Sequence, residues 1–103
     1  MKPICTVTAP ETYVNAFQWH EYFGLRVRVT QIPQCLYRLA ATDVNSVVAY
    51  FCEVERYYCK ALRAPEPEEK EREDYLRILI AAVYLRSLFE NEDRATPDGP
   101  QLG

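Results

Sequence analysis

Cys5, Cys35, Cys52, Cys59 and His20 are the residues of this chain with the widest chemical repertoire. A thiol nucleophile needs an imidazole within hydrogen-bond reach and a third group to orient it. Nothing in the spacing brings the lone histidine to any of the four thiols. Structural zinc favours short C-x-x-C pairs, and the chain has none. Cys52 and Cys59 share one face of a helix but stand about 10 Å apart along its axis, beyond the reach of a disulfide. Cys5 and Cys35 belong to different strands, which can bring them together. The expectation is four free thiols packed as small hydrophobes, with no metal and no cofactor.

Carboxylates could do acid–base work if burial separated their affinities for protons. Here they run together in Glu66–Asp74 and Glu90–Asp93, as solvated faces do. Glu53 and Glu55 read as exposed residues of a middle helix. Three glycines, two of them in the last six residues, leave no phosphate-cradling loop. Arginine is the more informative polar residue. Arg26, Arg28 and Arg38 fall on the outward parity of two neighbouring strands, where guanidinium forks can take a carboxylate or a phosphate. They are the candidate partner-binding residues.

The elements that must position these groups follow from patterning. Residues 3–8 are rich in β-branched types and read as a strand. Thr8-Ala9-Pro10-Glu11 resembles a capping box opening a helix. That helix would carry Tyr13, Ala16, Phe17 and His20 on one face and end at Gly24. A strand reading competes, because Tyr13, Phe17, Trp19 and Phe23 share one parity; Asn15 and Glu21 break the alternation and favour the helix. Leu25–Thr30 alternates cleanly, with Leu25, Val27 and Val29 inward. Gln31–Gln34 is a turn and Cys35–Ala41 a third strand. For Tyr37 and Leu39 to join the valines on the core face, the hairpin loop must hold an odd number of residues. Asp43 is the N-cap of an amphipathic helix to about Leu62, carrying Val44, Val47, Val48, Phe51 and Val54. Arg63–Pro67 is a stiff break, and a last helix runs from about Glu68 to Asn91 with anions in its first turns.

The predicted fold is α+β: a small, mostly antiparallel three-stranded sheet with helices packed on one face, in the order β-α-β-β-α-α. Residues 1–93 form one domain, and 94–103 form a disordered tail. The opening four elements share the topology of a ferredoxin-like split unit, which carries no function with it.

The last helix is more apolar than one core requires. From Tyr75 to Phe89, twelve of fifteen residues are hydrophobic, in two stripes. Tyr75, Ile78, Ala82, Leu85 and Phe89 follow the 3,4 spacing of a helix-pairing seam. Leu76, Leu79, Ile80 and Val83 form the second stripe, about 135° further round. Two stripes imply two covers. The first is read as the self-association seam of a homodimer, the commonest assembly, and the second as the face turned to the rest of the domain.

Composition bounds the remainder. Hydrophobic content of 49% excludes wholesale disorder, and eight tyrosines suit cores and interfaces alike. A net charge of −3 opposes broad nucleic-acid binding. The start shows no apolar signal segment, so a reducing, cytoplasmic setting is expected. No stretch reaches the ~20 apolar residues of a membrane span. These readings converge on a non-enzymatic protein–protein interaction module. It would be a homodimeric regulator, adaptor or inhibitor of another macromolecule, of the kind small phage proteins supply. The alternatives are a small-ligand sensor with a pocket lined by Tyr13, Phe17, Trp19 and Tyr37, or nucleic-acid binding through the arginine-bearing sheet face.

Overall fold

The computed structural model describes residues 5–17 and 27–94. Strand β1 (Cys5–Pro10) is followed by a single turn of helix, α1 (Glu11–Val14). Strands β2 (Val27–Ile32) and β3 (Leu36–Ala41) form a hairpin. Two long helices complete the described residues, α2 (Val44–Arg63) and α3 (Glu69–Arg94). The expected β-α-β-β-α-α order and the three-stranded antiparallel sheet are both present, with β3 at its centre in the order β1-β3-β2.

Register follows from the hairpin. Its loop is Pro33, Gln34 and Cys35, an odd number, so Val29 and Val7 both lie opposite Leu39. Because side chains alternate, one parity forms the inner face: Val7, Ala9, Val27, Leu39 and Ala41 are buried. The other parity forms the outer face, where Thr8, Arg38 and Thr30 make one row and Thr6, Ala40 and Arg28 the next. Gln34 and Cys35 take φ of 70° and 59°, the left-handed region that costs a non-glycine residue about 1–2 kcal/mol. The amide of Glu11 donates to the Cys35 carbonyl at 3.0 Å and holds that loop against the start of α1.

Asp43 caps α2 as its sequence position predicts. Its carboxylate accepts from the Ser46 amide at 3.2 Å and from the Ser46 hydroxyl at 2.8 Å. Val47 and Phe51 are fully buried on the inner face of α2, and Val44, Val48 and Val54 pack beside them. Helix α3 contributes Ala81, Ala82, Leu85 and Phe89, all without solvent exposure. The two alanines let the helix axis approach the sheet, and Leu85 and Phe89 share one buried cluster with Phe51. Each large side chain buried this way is worth about 1.5–3 kcal/mol. At the entry to α3 the Glu68 amide donates to the Glu71 carboxylate at 3.0 Å, the returning half of a capping box.

Three expectations about local structure are overturned in the described residues. The turn predicted at Gln31–Gln34 lies at Pro33–Cys35, because Gln31 and Ile32 extend β2 by pairing with Tyr37 and Leu36, and the third strand starts at Leu36 rather than Cys35. Thr8 does not cap a helix; it lies in β1 opposite Arg38, and the N-cap residue Pro10 makes no side-chain cap. Six residues of strand pairing outweigh one local hydrogen bond at that position. The helix it was to open spans only Glu11–Val14, giving way to turns at Asn15 and Ala16. Trp19, His20, Gly24, Leu25, Arg26 and the tail beyond Arg94 lie outside the described residues.

Candidate interaction surface

The stripe predicted for self-association faces the interior. Ala82, Leu85 and Phe89 are completely buried, Ile78 packs against the same core, and the Tyr75 ring lies against Tyr58 of α2, centroids 5.3 Å apart. A seam through these five residues is therefore α3's contact with its own domain. The second stripe takes the outside. Leu76, Ile80 and Val83 are 49%, 49% and 39% exposed, at the 4,3 spacing that puts them on one line of the helix. Isolated exposed leucines are ordinary; three aliphatic side chains in a row on one helix are not.

Helix α1 walls this line on one side. The Tyr13 ring stacks on Tyr84 with centroids 4.4 Å apart and an interplanar angle of 24°. Two open hollows result, sharing Tyr13 and Ile80. One, of about 440 Å³, is lined by Thr12, Tyr13, Glu73, Leu76, Arg77 and Ile80. The other, of about 490 Å³, is lined by Tyr13, Leu79, Ile80, Val83, Tyr84 and Ser87. Together they form an apolar groove along the outer face of α3, polar at the Glu73 end and again at Ser87. The aromatic pocket expected between sheet and helices is not formed by Phe17, which fills the core edge-to-face against Phe51 at 5.4 Å.

Two arginines of α3 are committed to structure. Arg86 reaches from α3 to α2, its Nε donating to Glu55 and its Nη2 to the same carboxylate at 3.4 Å. Its Nη1 donates to Glu90 at 2.9 Å. The hydrogen bond that Arg86 donates to Glu55 raises the Arg86 pKa above the ordinary arginine range, against the opposing pull of burial. Glu55, expected on an exposed face, is thus half of an interhelix clamp. Arg72 closes the turn between the helices, donating to the carbonyls of Leu62 at 2.7 Å, Ala64 at 2.6 Å and Pro67 at 3.2 Å. The Arg77–Asp74 pair is exposed. Neither the Glu55 clamp nor the Arg72 clamp was visible in sequence, since each joins residues that no helical period relates.

The outer sheet face carries Arg28 and Arg38, both exposed, on diagonal positions of the β2–β3 pair, about 7–8 Å apart at the backbone. Arg26, the third member of that set, lies outside the described residues. The residues sharing the face in the paired strands include no carboxylate: Thr6, Thr8, Thr30, Ile32, Leu36 and Ala40 surround the two arginines. The cysteines do not gather. Cys5 lies opposite Ala41 at one end of the sheet, while exposed Cys35 sits in the hairpin loop at the other. The five strand positions between them span about 17 Å. None of the four cysteines is in a disulfide, and none is fully buried. Among the described residues no helix is long and apolar enough to cross a membrane. Compared with protein-family models, curated proteins and solved structures, the chain matches none.

Proposed function

We propose that this chain is a non-catalytic protein–protein interaction module that pairs with a second copy through the outer face of α3 and regulates, adapts or inhibits another macromolecule. The observation that carries the reading is the exposed line Leu76–Ile80–Val83 beside the Tyr13 wall. A surface helix normally solvates the face away from its core. This one keeps aliphatic side chains there, between polar ends, as interface centres do within a polar rim. The outer sheet face, with Arg28 and Arg38 and no carboxylate among its paired residues, remains free in such a pair to meet an acidic protein segment.

Size sets the strength of the pairing. Re-covering a roughly half-exposed Leu, Ile or Val returns about 1 kcal/mol. Six such side chains across two copies give about 6 kcal/mol, against an association cost of about 4–15 kcal/mol. The flanking residues must supply the surplus, and the dimer is one that dilution dissociates. Light scattering across a concentration series should show the mass rising from 12.0 kDa toward twice that value. Ile80→Glu should hold the chain at the monomer mass with its circular dichroism unchanged. A parent that stays monomeric to millimolar concentration, or an Ile80→Glu variant that pairs as well as the parent, would refute the reading.

A further inference from the structure

Resting on that reading of self-association, we infer that the two copies of α3 pair antiparallel, about a two-fold axis at Ile80. The line of outward residues along α3 runs Glu69, Glu73, Leu76, Ile80, Val83, Ser87, Asn91. Glu73 and Ser87 each stand seven residues from Ile80, about 10 Å along the axis. Glu69 and Asn91 each stand eleven residues away, about 16 Å. At 100° per residue all four fall within about 20° of the Ile80 meridian, so all four belong to the seam. Glu69, Glu73 and Asn91 are exposed and Ser87 is partly so.

Orientation then decides what each carboxylate meets. In a parallel pair Glu69 faces Glu69 and Glu73 faces Glu73, two like-charge contacts at a seam that is losing its water. An antiparallel pair centred on Ile80 sets each Glu73 against Ser87 of the second copy and each Glu69 against Asn91. Serine and asparagine both donate hydrogen bonds, so every carboxylate meets a donor. The same operation sets Ile80 against Ile80 and brings Leu76 to within about 1.5 Å of the level of Val83 of the second copy, keeping the apolar middle continuous. The antiparallel arrangement also sets opposite helix-dipole ends side by side. It leaves both sheets outermost, with Arg28 and Arg38 facing away from the seam on the two sides of the dimer.

The test is Ser87→Lys together with Asn91→Lys in the full chain, with dimer dissociation measured by light scattering or sedimentation at low salt and at higher salt. The antiparallel pair turns four carboxylate–donor contacts into four ion pairs. The expected result is a Kd lowered roughly tenfold at low salt, with the gain shrinking as salt rises. Adding Glu69→Gln and Glu73→Gln should abolish that gain. A parent that dimerises but loosens when the lysines are introduced, because each lysine now meets its own copy, overturns the orientation and leaves self-association standing. An unchanged Kd also overturns the orientation. A parent and a lysine variant that are both monomeric throughout the series overturn self-association itself.

Discussion

Replacing Arg72 by alanine should cost more than replacing any other surface arginine on α3. Its guanidinium donates to three main-chain carbonyls, those of Leu62, Ala64 and Pro67. Two of these belong to the end of α2 and its C-cap, where carbonyls have no partner within the helix. The third belongs to the proline-bounded turn that aims α3 back along α2. Each bond is worth about 1 kcal/mol net, at the lower end for a charged donor because the site is only partly buried. The loss should total about 2–3 kcal/mol. Helix propensity works the other way, since alanine is the better helix former. For a chain near 100 residues this lowers Tm by roughly 10–20 °C. The assay is urea unfolding followed by circular dichroism, with Arg77→Ala as the control. Arg77 holds only exposed Asp74, so its variant should lie within about 0.5 kcal/mol of the parent. Lysine at position 72 has one ammonium for three divergent acceptors and should fall between parent and alanine. An Arg72→Ala loss no larger than that of Arg77→Ala, or full stability in the lysine variant, would show that the turn does not depend on the fork.

Two further perturbations separate core from clamp. Leu85→Ala should cost about 2–5 kcal/mol, because Leu85 is fully buried against the sheet and α2, whereas Leu76→Ala should cost little stability. Urea midpoints for the two variants check this, and equal losses would count against the inside–outside assignment of the stripes. Glu55→Gln should cost about 1–2 kcal/mol by uncoupling Arg86 from α2. Arg86 has its pKa raised in the folded chain, so its contribution is fully present below the ordinary arginine range and fades only as pH climbs through the raised value. The Glu55→Gln loss should therefore be the same at about pH 7 and about pH 9. A loss that vanishes at the higher pH would contradict the sign.

The strands were legible because period-2 alternation and β-branched content point the same way from Val27 to Thr30. Parity alone then demanded an odd loop, and the loop has three residues. Asp43 was legible because a cap is a local event, three residues from Ser46. The assignment of the two α3 stripes was not legible from spacing. Both obey a 3,4 rule, and periodicity says that a face is apolar without saying what covers it. Extension toward the N-terminus does not separate them either: the line through Ile80 runs into Glu73 and Glu69, and the inner stripe into Arg72, Glu71 and Glu68. Thr8 misled for the opposite reason: its local pattern favours a cap, but pairing with β3 competes for the same residue and wins. The Arg72 and Arg86 clamps bridge ten and thirty-one residues, a separation at which sequence pattern carries no distance information.

These placements divide the molecule's surface by task. The helices spend Arg72 and Arg86 on holding α2 and α3 together, so the charge left near the outer face of α3 is the carboxylates at its start and Arg77 beside them. The sheet's outer face keeps Arg28 and Arg38 without a counter-charge among the paired residues around them. The apolar groove and the arginines therefore lie on opposite faces of a two-layer domain, with the core between them. A copy seated on the groove does not cover the arginines, and an acidic segment on the sheet does not touch the seam. Coupling between the two would have to pass through Leu39 and Leu85, which pack in one continuous core. On the reading proposed above, a second copy would take one face and an acidic segment the other, and a substitution on either face should leave the opposite one undisturbed.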